Sequence, residues 1–127
     1  MDTIVLAYND TLDSDRALER TAELANFYGA RVIVTSVVPV LVGDERPADP
    51  GPELHAAATR LRDLGVDAEL VEAAGEISEA IVEVAESRGA DLIVVGTREL
   101  SQVERLLGYS VSEGVQRRAH CDVFIVH

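Results

Sequence analysis

Residues that could bind a phosphate group cluster in the stretch VVGTRELSQVERLLGYSVSE, which runs from Val94 to Glu113. The stretch begins as an apolar strand that ends at Gly96, and it closes with Gly-Tyr-Ser just ahead of an amphipathic segment. A loop that leads from a strand to a helix N-terminus offers backbone N–H groups to an anion. Gly96, Arg98, Ser110 and Ser112 are therefore candidate phosphate-binding residues, with Arg98 as the one positive charge placed to help.

Each of these residues also has a purely structural interpretation. Gly96 can simply form the turn that ends a strand. Ser110 can cap the final helix, with Glu113 three residues later completing a capping box. Arg98 can pair with a neighbouring glutamate on the surface. Only the combination of these residues favours a nucleotide site.

Catalytic and metal-binding signatures are weak. Ser110, His120 and Asp122 are a chance set of residue types, because their spacing predicts neither an oxyanion hole nor a base geometry. The three histidines are too scattered for a metal signature, and Cys121 is the single cysteine. We therefore expect a protein that is not an enzyme, with no resident metal and a thiol that serves packing.

The charge composition is unusual. Aspartate and glutamate total 23 against 11 basic residues, a formal net charge of -12, and every basic residue is arginine. An acidic surface without lysine is expected of a halophilic protein, because concentrated salt screens the repulsion between its charges. An ordinary acidic protein from a GC-rich genome is the alternative. Either origin disfavours binding to nucleic acid or to an anionic membrane.

The chain of 127 residues, 47% hydrophobic, has the size of one compact domain, residues 1–127. No apolar run approaches the roughly 20 residues of a membrane helix, and the N-terminus lacks a basic region followed by a long apolar run. We expect a cytoplasmic protein without a membrane segment.

Apolar runs and helical periodicities alternate along the sequence. The predicted strands are Thr3 to Tyr8, Arg31 to Val38, about Asp67 to Glu72, Asp91 to Val95 and Val123 to Val126. Four helices are predicted between them, the last from about Gln102 to Ala119, and a long loop from Pro39 to Pro52. Strict alternation predicts an open, doubly wound, parallel five-stranded sheet whose ligand lies beyond the carboxyl ends of the strands.

Local signals predict where the first two helices begin and end. Asp13 or Ser14 can cap the first helix, whose apolar face includes Tyr28 and which Gly29 ends. The second helix is predicted from Glu53, with an apolar stripe of Leu54, Ala57, Ala58, Leu61 and Leu64.

Three segments taken together, IVLAYND, GADLIVVGTR and LLGYSVSEGVQRRAHCDVFIVH, resemble a single-domain universal stress protein. The resemblance covers the whole chain. It implies an adenine-nucleotide α-hydrolase-like sheet in the strand order 3-2-1-4-5. It also implies homodimers formed edge to edge through the last strand, here Val123, Phe124, Ile125 and Val126. Some members of that family bind ATP and others do not.

The family's ATP motif is incomplete in this chain. The motif resembles Gly-x-x-Gly, nine variable residues, then Gly-Ser or Gly-Thr, and Glu99 and Tyr109 replace two of its glycines. Gly108 lies one position early, and Asn9 replaces the acidic residue that contacts adenine or ribose. A glycine lets backbone N–H groups approach a phosphate, whereas a tyrosine blocks that approach and a glutamate adds like charge.

The resemblance implies a set of nucleotide-contacting positions at the strand ends and in the loop after the fourth strand. These are Ala7, Tyr8, Asn9, Val37, Val95, Gly96, Arg98, Ser110, Val111 and Ser112. We predict a stress-response protein with a degenerate site, with weak or no ATP binding and an unidentified protein partner. The alternatives are a module that binds ATP or AMP, with Mg²⁺, through the loop after the fourth strand, and a slow nucleotide hydrolase.

Overall fold

The structure, a computed structural model, describes residues 1–9, 12–38, 51–96 and 111–127. Strands and helices alternate within these ranges. They are β1 Thr3–Ala7, α1 Leu12–Tyr28, β2 Arg31–Val38, α2 Gly51–Asp63, β3 Ala68–Ala74, α3 Ile77–Arg88, β4 Leu92–Gly96, α4 Val111–Arg118 and β5 Asp122–Val126. The structure does not describe residues 39–50 of the predicted loop or residues 102–110 of the predicted last helix. The last two residues of the predicted loop, Gly51 and Pro52, lie in α2.

The strands form one parallel sheet in the order β3-β2-β1-β4-β5. This result confirms the predicted doubly wound fold and its strand order. The chain winds from β1 to β2 in one direction and from β4 to β5 in the other. A topological switch point therefore lies between β1 and β4, where open α/β sheets bind ligands. Among the described residues, no helix is long and apolar enough to cross a membrane.

Helices cover both faces of the sheet. Ile4 and Leu6 of β1 pack with α1 and α2 in one core cluster. Val5, between them, packs with α3 and α4 in the other. Side chains of a strand alternate between faces, so a strand that is covered on both sides needs apolar residues at successive positions. This requirement explains the continuous apolar run of β1, which the sequence prediction used.

Two predicted helix starts are wrong. Asp13 and Ser14 lie inside α1, which already includes Leu12, so neither is its N-cap. Helix α2 starts at Gly51 and includes Pro52, two residues before the predicted start. Proline is compatible with the first helical turn because the N–H groups there have no partner within the helix.

Two residues predicted on apolar faces lie at the surface. Tyr28 is 50% exposed at the end of α1, and Leu64, just after α2, is 44% exposed. Gly29 has a φ of 66°, the left-handed conformation that favours glycine, and it ends α1 as predicted. Helix α1 therefore ends at the predicted residue, but the side chains at the ends of α1 and α2 lie outside the core.

Candidate functional site

A cleft opens at the carboxyl edge of the sheet, beside the switch point. Its described lining comes from the ends of β1, β2 and β4 and from the starts of three helices. The described residues that line this cleft are Ala7, Tyr8, Asn9, Ser14, Thr35, Val37, Ile77, Ile81, Val95, Gly96 and Val111. Most of them are apolar, and none carries a formal charge at neutral pH. On a chain of net charge -12, the described part of the cleft lining is neutral.

The floor of the cleft is formed by side chains on the α3 and α4 face of the sheet. Ala7 of β1 lies opposite Thr35 of β2 in the sheet register. Thr35 is fully buried, and its hydroxyl donates a hydrogen bond of 2.9 Å to the carbonyl oxygen of Val71. Its own carbonyl oxygen accepts the backbone N–H of Tyr8 at 3.0 Å. Thr35 therefore extends the pairing of β1 with β2 by one residue, to Tyr8.

Asn9 lies at the mouth of the cleft and is held by Ser14. The Ser14 hydroxyl donates a hydrogen bond to Asn9 Oδ1 at 2.5 Å. The Ser14 Oγ also accepts the backbone N–H of Asn9 at 3.4 Å. Ser14 is 5% exposed, so water competes little for these bonds. The side chain at position 14, predicted as a helix cap, instead orients the residue that follows the first strand.

The ring of Tyr8 separates the cleft from a polar cluster on the opposite face. Its hydroxyl donates a hydrogen bond of 2.9 Å to Asp15 Oδ1. Asp15 also pairs with the guanidinium group of Arg60 on α2, whose other terminal nitrogen lies 3.8 Å from Glu19. These ionised groups lie among α1 and α2 rather than in the cleft.

Helix α3 begins at the cleft but supplies its own cap. The Glu76 carboxylate accepts the backbone N–H groups of Ser78 at 3.3 Å and Glu79 at 2.7 Å. A carboxylate at a helix N-terminus meets the partial positive charge there. This helix start is therefore already bonded to an anion of the chain, while Ile77 presents an apolar side chain to the cleft.

Helix α4 is tied to α3 at the other side of the cleft. The buried Ser78 hydroxyl donates to the carbonyl oxygen of Val111 at 3.3 Å. Val111 lines the cleft, whereas Ser112 does not, although it follows directly and is half-buried. Glu113 pairs with Arg117 at 3.0 Å. The other half of the predicted capping box, Ser110, lies outside the described residues.

The predicted site residues divide into three groups. Those that the structure brings together in the cleft are Ala7, Tyr8, Asn9, Val37, Val95, Gly96 and Val111. Ser112 is beside the cleft without lining it. Arg98 and Ser110, together with the two residues at which the ATP motif is incomplete, Glu99 and Tyr109, lie outside the described residues.

Four lining residues were missed by the sequence prediction. Thr35 is two positions before Val37 and so shares its face of β2, a signal that strand alternation could have supplied. Ile77 and Ile81 belong to the third predicted helix, to which no role in the site was assigned, and Ser14 was predicted only as a cap. Helical periodicity shows that such residues are buried, but it does not show which of them border a cleft.

Within the part of the chain that the structure describes, two groups with a clearly shifted pKa lie at the opposite, amino edge of the sheet. Asp91 accepts the backbone N–H groups of Asp2 at 2.8 Å and Thr3 at 2.9 Å, and these bonds lower the pKa of its carboxyl group. Partial burial, followed by the negative charges of Asp122 and Asp91, raises the pKa of the Cys121 thiol. The thiol is therefore protonated at neutral pH and poorly nucleophilic.

A five-stranded, doubly wound parallel sheet with an apolar cleft at its switch point places the chain in the class of open α/β proteins, which bind their ligands at this edge. Within that class, the sequence model of the Universal stress protein family matches residues 1–127. The chain belongs to this family.

Individual relatives match over nearly their full length. Universal stress protein Rv1636 of Mycobacterium tuberculosis is 36% identical over 141 aligned residues, which cover 98% of this chain and 95% of the relative. A universal stress protein crystallised in complex with cAMP is 31% identical, with a TM-score of 0.82 and coverage of 99% and 97% of the two chains. A universal stress protein from Archaeoglobus fulgidus is 26% identical, with a TM-score of 0.80 and coverage of 100% and 94%.

Proposed function

We propose that this chain is a regulatory stress protein whose cleft holds the nucleoside part of an adenine nucleotide, and that it is not an enzyme. The observation that carries the proposal is the neutral, largely apolar lining of the cleft at the switch point of the sheet. A nucleobase is flat and uncharged, and it is stabilised by burial against side chains such as Val37 and Ile81. The related protein in complex with cAMP supports the choice of adenine.

The phosphate end of the site is proposed to be degenerate. In the family motif, Glu99 and Tyr109 replace glycines in the loop after β4. Two like charges about 4 Å apart repel by roughly 4 kcal/mol at an effective dielectric constant near 20. A carboxylate at position 99 therefore opposes the triphosphate of ATP more than the single phosphate of AMP. We expect weak or no ATP binding.

The alternative is a module that binds ATP or AMP tightly through the same loop. Mg²⁺ would then enter with the triphosphate and reduce the repulsion from Glu99, since a divalent cation neutralises part of the phosphate charge. Arg98 would compensate further. Among the described residues, no group of three His, Cys, Asp or Glu side chains lies close enough together to hold a metal ion.

We further propose a cytoplasmic homodimer that acts through a protein partner. Strand β5 lies at the end of the strand order, and Phe124 is 37% exposed on it. An apolar edge strand on an acidic protein favours pairing with a second copy. We also propose that the acidic, lysine-free composition is an adaptation to concentrated salt.

Calorimetry in multimolar KCl tests the nucleoside site. AMP, and ATP with Mg²⁺, are titrated into the wild type, into Val37→Trp and into the control Leu64→Trp. Val37 lines the cleft, whereas Leu64 is exposed at the end of α2. We expect AMP to bind the wild type and the control alike, and to bind Val37→Trp at least tenfold more weakly, because the indole fills the cleft.

Three results decide between the candidates. Equal AMP affinity in Val37→Trp and the wild type would place the nucleotide elsewhere. ATP binding at least tenfold tighter than AMP binding would favour the ATP module. Release of phosphate or pyrophosphate from ATP during incubation with the wild type would contradict the non-enzymatic assignment.

A further inference from the structure

We propose that the ends of α1 and α2 form a docking surface for a basic amphipathic helix of a partner protein. The surface consists of an exposed apolar patch, Phe27, Tyr28 and Leu64, and of the groove between the two helices beside it. Helix α1 ends three residues before β2 begins, so the patch lies at the amino edge of the sheet, opposite the cleft. The inference rests on the part of the proposed function that assigns a protein partner, and it adds the surface and the chemistry of that partner.

The patch is formed by large apolar side chains that the fold leaves in water. Phe27 is 81% exposed, and its ring meets the ring of Tyr28 edge to face, with the ring centroids 4.9 Å apart. Leu64, just after α2, is exposed as well. Single apolar residues at a surface are common, whereas several at one place are typical of a binding site.

One hydrogen bond brings the two parts of the patch together. The side-chain amide of Asn26 donates to the carbonyl oxygen of Leu64 at 3.0 Å, so the last turn of α1 touches the residue after α2. Phe27 directly follows Asn26 in the sequence. The backbone N–H of Leu64 is also bonded, to the carbonyl oxygens of Arg60 at 3.2 Å and Leu61 at 3.0 Å. The patch is therefore held in place without a partner, which reduces the ordering cost of binding.

A groove of about 420 Å³ opens between α1 and α2 next to the patch. Its described lining is Glu19, Ala22, Glu23, Asn26, Arg60, Asp63 and Leu64. Leu64 therefore belongs to both the patch and the groove, and Phe27 lies one helical turn after Glu23 on the surface of α1. A groove of this size holds a few side chains of a ligand. Its two walls are helices, which suits a third helix lying along it.

Acidic side chains dominate the charge of the groove. Three of the described lining residues, Glu19, Glu23 and Asp63, carry carboxylates. The guanidinium group in the lining, that of Arg60, already pairs with Asp15 and lies 3.8 Å from Glu19. A partner that carries arginine or lysine beside its apolar side chains complements this surface.

The three carboxylates differ in what already neutralises them. Glu23 pairs with Arg20 at 2.8 Å, and Glu19 lies near Arg60. Within the described part of the chain, Asp63 makes no ion pair. Asp63 is therefore the carboxylate best placed to meet a cation of the partner.

A second copy of this chain fits the surface poorly. A symmetric contact would bring the same carboxylates of two chains together, and like charges repel. The net charge of -12 equally disfavours nucleic acid and anionic lipid. A basic amphipathic helix instead offers apolar side chains to Phe27 and Leu64 along one face and cations to Asp63 at the margin of that face.

Selection from a displayed library of random peptides, each long enough for about four helical turns, tests the inference. The wild type is the target, at a salt concentration at which it is folded. Selected peptides are synthesised, and their affinities are measured by fluorescence anisotropy at two KCl concentrations. Each protein is first checked for folding by thermal melting. The proteins are the wild type, Phe27→Ser, Leu64→Ser, the double variant Glu23→Gln with Asp63→Asn, and the control Phe124→Ser.

We expect the selected peptides to be basic and to bind Phe27→Ser and Leu64→Ser at least tenfold more weakly than the wild type, because each serine removes apolar surface. Glu23→Gln with Asp63→Asn should weaken binding about threefold and reduce its dependence on KCl, because two carboxylates are lost. The control Phe124→Ser makes the same exchange on β5 and should bind as the wild type does. Either serine variant of the patch decides the test if the other does not fold.

Several results would overturn the inference. They are failure to select any peptide, selected peptides that bind all variants equally, and selected peptides that are acidic or neutral. Light scattering of Phe27→Ser gives a further one, because a smaller assembly than that of the wild type would show that a second copy covers the patch.

Failure of the nucleoside site is separable from failure of the docking surface. AMP titrated into the same proteins should bind Phe27→Ser and Leu64→Ser as it binds the wild type, because the patch lies at the other edge of the sheet from the cleft. A wild type that binds the selected peptides but not AMP would overturn the nucleoside site and keep the docking surface.

Discussion

The substitution Tyr8→Phe removes one hydroxyl group at the boundary between the cleft and the polar cluster on α1 and α2. Tyr8 is 2% exposed, and its hydroxyl donates to Asp15 Oδ1 at 2.9 Å. Phenylalanine preserves the buried ring, so the change removes the hydrogen bond without creating a large cavity. We expect a folded protein of lower stability.

The size of the effect follows from the exposure of Asp15. A hydrogen bond to a charged group contributes about 1.5–3 kcal/mol. The Asp15 side chain is 31% exposed, so water replaces part of the lost bond, and Arg60 still pairs with the carboxylate. We therefore take the lower end of the range, about 1.5 kcal/mol of unfolding free energy. For a chain of this length, this loss corresponds to a decrease in Tm of roughly 6 °C.

Chemical denaturation of Tyr8→Phe, Asp15→Ala and the double variant measures the coupling between the two side chains. The control is Tyr28→Phe, because Tyr28 is 50% exposed, in contrast to the buried Tyr8. Tyr28→Phe should change the unfolding free energy by less than about 0.5 kcal/mol. A coupling energy below about 0.5 kcal/mol between Tyr8 and Asp15 would refute the reasoning.

The remaining predictions concern acid stability, ATP affinity, assembly and salt. Asp91→Asn should lower Tm at neutral pH. The pKa of the Asp91 carboxyl group is lowered in the folded state. The carboxylate therefore stabilises the fold above its unfolded pKa of about 3.9, and this stabilisation is lost as the pH falls through the folded pKa. The difference in Tm between wild type and Asp91→Asn should shrink in acid. The double change Glu99→Gly with Tyr109→Gly, at residues outside the described ranges, should raise ATP affinity at least tenfold, about 1.4 kcal/mol, in calorimetry with Mg²⁺. Phe124→Asp should convert a dimer to a monomer in light scattering at multimolar salt, because it adds charge to the exposed edge strand. The Tm of the wild type should rise with KCl concentration, because salt screens the repulsion within a chain of net charge -12.

Each of these predictions has a contrary result. A Tm difference for Asp91→Asn that is as large at pH 2 as at pH 7 would show that its carboxylate charge is not the stabilising feature. Unchanged ATP affinity in the double-glycine variant would shift the cause of weak binding to Asn9 or to residues 39–50. A wild type that is monomeric at high protein concentration would contradict the edge-strand dimer. A Tm independent of KCl would indicate that the composition reflects genome bias alone.

Much of the fold could be predicted because its signals are local or periodic. The run at β1 is apolar at successive positions because both faces of that strand are covered, and the glycine at position 29 adopts a conformation that other residues avoid. The parallel arrangement of the strands followed from the strict alternation of strands and helices. The strand order came from the family resemblance carried by the motifs, since alternation alone leaves several orders open.

The cleft was partly predictable for a related reason. Strand ends at the switch point are where α/β sheets bind ligands, so Gly96 could be named from its position, whereas Ala7 and Asn9 were named through the family resemblance. The prediction failed where one side chain has two possible partners. Ser14 has the residue type and the position of a helix cap, and nothing in the local sequence distinguishes that role from a bond to Asn9.

The sequence by itself determined the class of fold, the approximate element boundaries and the neutral residues at the strand ends, because burial imposes a repeating pattern on the chain. Only the tertiary structure decided that Thr35 and Ile81 border the cleft, that Tyr28 and Leu64 lie at the surface, and that Ser14 orients Asn9. These features depend on which elements end beside one another in space. A hydrogen bond or an exposed edge is set by that packing, which local propensity does not encode.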